Sequence, residues 1–130
     1  MILKDRIDKI LVERKIVKKE RCNRILLSAI KQSLKYHYPK LNKAISFKDF
    51  IKLNFEGGKY IAHCEDSDKL DLKIVSNTEK TLILIGPEGD FSPHEIEIAL
   101  ENEFKSVSLG NSRLRTETAG IVAVHTINIK

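Results

Sequence analysis

Two short loops hold the residue types in this sequence that are best suited to binding a ligand and acting on it. The first, residues 86–92, reads Gly-Pro-Glu-Gly-Asp-Phe-Ser and directly follows an unbroken apolar run at residues 81–85. The second, residues 109–119, combines a glycine with arginines, a glutamate and threonines. Glycine lets a backbone turn sharply and approach a ligand closely, while proline stiffens the turn. These loops indicate a ligand gripped by main-chain groups.

The elements around the first loop predict where it lies. The apolar run at residues 81–85 is typical of a strand buried on both faces of a parallel sheet, and ligand sites in such sheets lie past the carboxyl ends of the strands. Ser92, Pro93 and Glu95 have the spacing of a capped helix start. Residues 106–109 predict a second strand. The helix from Pro93 is expected to bury three apolar residues, Ile96, Ala99 and Leu100.

Other glycine-loop chemistries are excluded by their missing motifs. The sequence has no Gly-x-x-x-x-Gly-Lys-Ser/Thr phosphate loop and no Gly-x-Gly-x-x-Gly dinucleotide fingerprint. A loop without an anchoring cation suits a neutral adenosine better than a triphosphate. Taken alone, the first loop fits an ordinary glycine turn after a strand more readily than a cofactor loop, because such turns are common.

The pairing of the two loops reverses that preference. Together they resemble the cofactor motifs of the RsmE-type 16S ribosomal RNA uridine-N3 methyltransferases, which belong to the SPOUT, or α/β-knot, superfamily. The similar residues are Leu84-Ile85-Gly86-Pro87-Glu88-Gly89, Phe91-Ser92, Glu95, Leu109-Gly110, Leu114-Arg115 and Glu117-Thr118-Ala119. The resemblance extends weakly back to about Glu13. One departure is Asp90, where many members of that family carry another glycine.

The resemblance implies both a fold and a cofactor. The fold is α/β, with a mostly parallel sheet flanked by helices and a C-terminal trefoil knot. Residues 1–130 are expected to form a single domain that lacks the family's usual N-terminal RNA-binding barrel, and such domains pair as homodimers. The implied cofactor is S-adenosylmethionine, held by His63, Leu84, Ile85, Gly86, Glu88, Gly89, Leu109, Gly110, Leu114 and Thr118.

The implied reaction is methylation of a uridine ring nitrogen in small-subunit ribosomal RNA. This nitrogen must lose a proton, so a cation or a base has to act near the cofactor. We expect Arg115 and Glu117 to be catalytic, and Arg14 and Arg113 to contact RNA. Each of these two residues also has a structural alternative. Arg115 could form an ion pair with Glu88 or Glu117 that braces the loop. Glu117 could act only through a favourable interaction of its charge with the helix dipole.

Composition sets the remaining limits. The net charge is +5, and most of the lysines and arginines lie in residues 1–60, which fits RNA or simply a solvated lysine-rich face. We expect no metal, no membrane span and a cytoplasmic location, since the start resembles no signal peptide. Cys22 and Cys64 are expected to be buried free thiols.

The hypothesis that competes with an enzyme is a shortened knot domain that binds cofactor or RNA, or only dimerises, without catalysis.

Further elements are predicted from periodicity and turn residues. An amphipathic helix is expected over residues 19–38, ended by Pro39. Ser46 predicts the cap of a short helix that ends at about Lys52, and residues 59–64 predict a strand. Residues 72–77 fit a short strand or a turn. Residues 116–129 predict a final helix capped by Thr116.

Overall fold

The computed structural model of the protein describes residues 19–34, 36–75 and 80–129. Arg14, predicted to contact RNA, lies outside these residues. The helices are α1 (Lys19–Ser33), α2 (Phe47–Ile51), α3 (Leu72–Val75), α4 (Pro93–Glu101) and α5 (Thr116–Asn128). The strands are β1 (Gly58–Ala62), β2 (Leu70–Asp71), β3 (Thr81–Ile85) and β4 (Lys105–Ser108).

The four strands form one parallel sheet in the order β2-β4-β1-β3. The central strand β1 pairs with β3 from Gly58 opposite Thr81 to Ala62 opposite Ile85, and with β4 from Tyr60 opposite Lys105. Because all strands are parallel, their carboxyl ends meet at one edge of the sheet. The predicted α/β class with a parallel sheet is confirmed, and the trefoil knot stays a prediction.

Side chains alternate across the sheet and build one core on each face. Along β1, Ile61 faces one side and Tyr60 the other. The first core contains Phe47, Ile51, Ile61, Leu84, Phe91, Ile96, Ala99 and Phe104. The second contains Tyr60, Leu72, Val107 and Ala123. Complete burial of one such aliphatic or aromatic side chain stabilises the fold by about 1.5–3 kcal/mol.

Two helix starts agree with the prediction from sequence. Ser46 caps α2 by accepting a hydrogen bond from the backbone N–H of Asp49. Ser92 caps α4 in a complete capping box, in which the Glu95 carboxylate accepts the backbone N–H of Ser92. The cap fixes the residue at which the loop after β3 ends and α4 begins.

The start of α5 differs from the prediction. Arg115, and not Thr116, is its N-cap residue, and no side chain caps this end of the helix. The Thr116 hydroxyl instead donates to the carbonyl oxygen of Gly86 at 2.8 Å. A threonine at a helix start can bond either its own helix or a neighbouring loop, and here the neighbouring loop is the partner.

Several predicted boundaries were also wrong. α1 ends at Ser33, before Pro39, because Leu34 adopts a left-handed backbone with φ of 52°. Residues 72–75 form a helix, and β4 starts and ends one residue earlier than expected. β1 ends at Ala62, so His63 opens the following loop.

Exposure corrects the expectations for α4 and for the two cysteines. Leu100 is 47% exposed, so the buried face of α4 is limited to Glu95, Ile96 and Ala99. In α1, all of which is described, no side chain is buried. Cys64 is exposed and Cys22 is half-buried; both are free thiols, but neither is a buried one.

Candidate functional site

A cavity of about 590 Å³ opens at the carboxyl edge of the sheet. Three loops line it: the one after β1, the one after β3, and the one that joins β4 to α5. The sequence places these loops far apart, and the parallel strand order brings them together. This is the region in which a parallel sheet is expected to bind its ligand.

Most of the predicted site residues meet in this cavity. Those that line it are His63, Ile85, Gly86, Glu88, Leu109, Gly110, Arg113, Leu114 and Arg115. Four others do not: Leu84, Gly89, Glu117 and Thr118. Leu84 is fully buried in the first core, where it supports the loop after β3 from below.

Two positions in the lining favour glycine, Gly86 because of close packing and Gly110 because of its backbone conformation. A side chain at Gly86 would begin 3.1 Å from Oδ1 of Asp90 and 3.2 Å from the ring of Phe91, closer than side-chain carbons normally approach. Gly110 has φ of 130°, a conformation that favours glycine. At Gly86 the close packing leaves the backbone itself to face the cavity, as expected for a ligand held by main-chain groups.

Hydrogen bonds hold the loop after β3 on both sides. The loop closes on itself through the Asp90 backbone N–H, which donates to the carbonyl oxygen of Pro87 at 2.8 Å. On one side, the Asp90 carboxylate accepts the backbone N–H of Cys64 at 2.6 Å. On the other, the Thr116 hydroxyl donates to Gly86. The loop is therefore connected to the other two walls of the cavity.

His63 stands at the edge between the cavity wall and the protein interior. Its side chain is buried, and its Nε2 atom lies 2.9 Å from the hydroxyl of Ser106. Within the described part of the chain, its Nδ1 atom is buried and has no hydrogen-bond partner. Burial lowers the pKa of His63, the Lys69 ammonium lowers it further, and the carboxylates of Asp90 and Glu65 oppose this shift. The imidazole is consequently held in its neutral form.

Charged groups of both signs line the cavity. Lys69, Arg113 and Arg115 supply positive charge, and Glu88 and Asp90 supply negative charge. Arginine can hold a phosphate or a uracil oxygen through its fork of N–H groups. In the described ranges, no group of His, Cys, Asp and Glu side chains is placed to bind a metal ion. None of the described helices is both long and apolar enough to span a bilayer.

Lys69, Asp90 and Thr116 are among the lining residues that were not assigned to the site from sequence. Lys69 lies in a loop with no motif, so only the fold reveals its position. Thr116 resembled a helix cap, and Asp90 was noted only as a departure from the family's glycine. The one usable signal was Asp90, since an acidic residue at a tight turn can bond nearby backbone N–H groups.

Comparison with known proteins identifies the family. The sequence model of a protein family described as RNA methyltransferase domain matches residues 1–128 of this chain. The chain belongs to this family. Ribosomal RNA small subunit methyltransferase E of Rickettsia conorii is 35% identical to this RNA methyltransferase domain over 114 residues, which cover 85% of the chain and 46% of that protein. The enzyme of the same name from Mesomycoplasma hyopneumoniae is 38% identical over 106 residues, which cover 80% of this chain and 45% of that protein.

A solved structure agrees with these relatives. Ribosomal RNA small subunit methyltransferase E from Neisseria gonorrhoeae, bound to S-adenosyl methionine, matches with a TM-score of 0.70 and 30% identity. The match covers 82% of this chain and 44% of that one. The RNA methyltransferase domain described here therefore spans about half the length of the relatives it matches. The family resemblance expected from the two loops is confirmed.

Proposed function

We propose that this domain binds S-adenosylmethionine and transfers its methyl group to N3 of a uridine in small-subunit ribosomal RNA. The observation that carries the proposal is the convergence of the three loops on one cavity, with Gly86 packed closely against Asp90 and Phe91. A similar protein from Neisseria gonorrhoeae was solved with S-adenosyl methionine bound, which supports the choice of cofactor. A ribosomal RNA substrate would place the reaction in the cytoplasm.

The chain's own residues divide between binding and chemistry. Main-chain groups at Gly86, Leu109 and Gly110 would hold the adenosine, and the half-buried Leu114 would supply an apolar contact. The remaining predicted cofactor contacts within the cavity are His63, Ile85 and Glu88. S-adenosylmethionine supplies an electrophilic methyl group. The protein must align the substrate with it and help the ring nitrogen lose its proton.

Arg115 is the residue that we assign to this proton loss. It lines the cavity, and its guanidinium can stabilise the negative charge that develops on the uracil ring. Arg113, which is exposed at the same rim, would hold a phosphate of the RNA. Glu117 and Thr118 lie in the first turn of α5, outside the cavity lining. At that position the Glu117 carboxylate is better placed to interact with the helix dipole than with a substrate.

Cofactor binding is tested by titration calorimetry with S-adenosylmethionine and with its demethylated product. The variant Gly86→Ala should bind at least tenfold more weakly, because its new methyl group must displace Asp90 or Phe91; a tenfold loss corresponds to about 1.4 kcal/mol. Gly120→Ala is the matched control, since a side chain at Gly120 meets no atom within 4 Å. Wild-type protein that binds neither ligand at millimolar concentration would refute the proposal.

A second candidate function is cofactor or RNA binding without turnover. It requires only the cavity and the loops that line it. The two candidates separate in a methyl-transfer assay on unmodified small-subunit particles. The assay should be run with this chain and with the same chain fused to an RNA-binding domain. Turnover by either protein supports the enzyme, and cofactor binding without turnover by both supports the binding module.

We also propose that the domain forms a homodimer. The helix α5 carries two large aliphatic side chains one turn apart that are mostly exposed, Ile121 at 70% and Val124 at 60%. Packing a second copy against this face would bury them. A two-fold interface would use the same face of both copies, so a single helix could supply both halves of the contact.

A further inference from the structure

The Asp90 carboxylate connects two walls of the proposed cofactor cavity. Its Oδ2 atom accepts the backbone N–H of Cys64, in the loop after β1, at 2.6 Å. Its Oδ1 atom accepts the backbone N–H of Phe91 at 2.8 Å. One side chain thus bonds the backbone of its own loop and that of Cys64, 26 residues before it, and both Cys64 and Asp90 line the cavity.

The backbone at Asp90 is unusual for a residue with a side chain. Its φ is 58°, in the left-handed region that glycine adopts without strain. An aspartate in that conformation strains the local backbone. The hydrogen bonds of its carboxylate to main-chain N–H groups offset this strain. Charge-assisted bonds of this kind are stronger than those between neutral groups.

The Asp90 side chain also forms part of the ligand-facing surface. It lines the cavity, and its Oδ1 atom lies 3.1 Å from the position that a Cβ atom on Gly86 would occupy. The Thr116 hydroxyl holds the Gly86 carbonyl oxygen, and the Asp90 carboxylate occupies the space beside Gly86. Moving Asp90 would shift the main-chain groups that face the ligand.

We propose that Asp90 is a positioning residue for the cofactor: its carboxylate holds the loop after β3 against the loop after β1, at the separation that the ligand needs. The inference rests on the proposed function, because it assigns the cavity to S-adenosylmethionine. Asp90 acts through the loops and need not touch the reacting atoms. Loss of its two bonds lowers cofactor affinity more than it lowers the stability of the fold.

The variant Asp90→Asn tests this role with little change in shape. Asparagine adopts the left-handed conformation about as readily as aspartate, but its amide has one acceptor oxygen where the carboxylate has two. At most one of the two bonds can then be kept. Asp90→Gly is a second variant, which removes both bonds and also relieves the backbone strain.

The matched control is Glu103→Asn. Glu103 is another acidic residue with a left-handed backbone, at φ of 69°, and its carboxylate pairs with Lys59 at 3.1 Å. It does not line the cavity. Substitution there removes a carboxylate, an ion pair and a strained acidic residue without touching the proposed site.

Three quantities are measured for the wild type and the three variants. They are the dissociation constant for S-adenosylmethionine, the melting temperature, and the hydrogen-exchange rate of the Cys64 amide.

We expect both Asp90 variants to bind the cofactor about tenfold more weakly than wild type. The Cys64 amide should exchange faster in both, and the melting temperatures should stay close to that of Glu103→Asn. Glu103→Asn itself should bind like wild type. If Asp90→Asn and Asp90→Gly both bind like wild type, the positioning role is overturned. It is also overturned if both melt far below the control, because Asp90 would then serve the fold.

Failure of the proposed function gives a different pattern. If wild-type protein does not bind S-adenosylmethionine, the assignment of the cavity falls, and the Cys64 amide alone decides the structural part of the inference. Faster exchange in Asp90→Asn would then support the connection between the loops. Unchanged exchange would overturn it.

Discussion

Arg115 combines a fixed backbone with a free side chain. It is the N-cap of α5, with φ of −67° and ψ of 155°, and its exposed side chain lines the cavity. Among the described residues, the ion pairs join Lys59 to Glu103 and His94 to Glu97, and neither pair involves Arg115. This geometry favours a role toward the substrate over the bracing role that the sequence left open.

The variant Arg115→Ala should lose methyl transfer while keeping its fold and its cofactor. A lost contact to the developing charge costs about 3 kcal/mol, or roughly a hundredfold in rate. The test compares turnover, melting temperature and cofactor affinity with those of the wild type. A joint decline of all three would return Arg115 to a structural role.

Arg113 provides the comparison for that experiment. Its position at the exposed rim suits a phosphate contact, which binds RNA without acting on the reacting ring. Arg113→Ala should raise KM for the RNA with little effect on kcat, and the loss should shrink as salt increases. Equal effects of both variants on kcat would show that the two arginines do not divide these roles.

His63 makes stability depend on pH. Burial lowers its pKa in the folded protein, with a further contribution from Lys69, whereas an unfolded chain has an ordinary histidine value of about 6.5. The unfolded state therefore binds more protons in the window between the two values, and stability rises with pH there. The contribution of His63 is complete above about pH 6.5 and is lost as pH falls through the lower, folded value.

Measurement of the unfolding free energy from pH 7.5 down to pH 5 should show this loss. His63→Gln should flatten the curve in that range, because glutamine does not titrate. An identical slope in wild type and His63→Gln would contradict the assignment.

At the scale of elements, the start of α5 is attached to a loop and not capped by its own side chains. Thr116→Val keeps the size of the side chain but removes the hydroxyl that donates to Gly86. The free energy of unfolding should fall by about 1 kcal/mol, and cofactor affinity should fall with it, because the loop loses one of its supports. Thr118→Val is the control, an exposed position in the same helical turn outside the cavity lining. Equal behaviour of the two variants would mean that the hydroxyl bond contributes nothing.

The elements that sequence predicts well are those whose signals are local. The capping box at Ser92 and the strand at residues 81–85 each depend on a few neighbouring residues, and both are confirmed. The expected burial of that strand on both faces is wrong, because β3 lies at the edge of the sheet and only Leu84 in it is buried. The end of α1 depends on the left-handed backbone of Leu34. The partner of the Thr116 hydroxyl lies in a loop 30 residues away. No local pattern contains that information.

The residues of the site likewise divide into those with a local sequence signal and those that only the fold brings together. Glycines and arginines in the two loops were visible in the sequence because each loop is continuous. Lys69 and the connection from Asp90 to Cys64 require knowing that the loops after β1 and β3 end at the same edge. The sheet order supplies that knowledge, and hydrophobic patterning alone does not reveal the order of parallel strands.

At the scale of the whole molecule, α5 offers the surface for pairing. Sedimentation velocity at micromolar concentration should show a dimer, and Ile121→Lys should convert it to a monomer by placing a charge in an apolar contact. Ile74→Lys is the control, since Ile74 is 72% exposed on a different helix, α3. A wild-type protein that sediments only as a monomer would remove the basis for the dimer.

The order β2-β4-β1-β3 has a consequence for the speed of folding. In the described sheet, no two strands that follow one another along the chain are neighbours, so every pairing must close a loop that contains at least one other element. Closing such loops costs entropy before any contact repays it, and chains dominated by distant contacts fold slowly. The cavity needs β1, β3 and β4 aligned at once, so it belongs to the last stage of this search. During refolding, recovery of cofactor binding should therefore lag behind the recovery of helical circular dichroism.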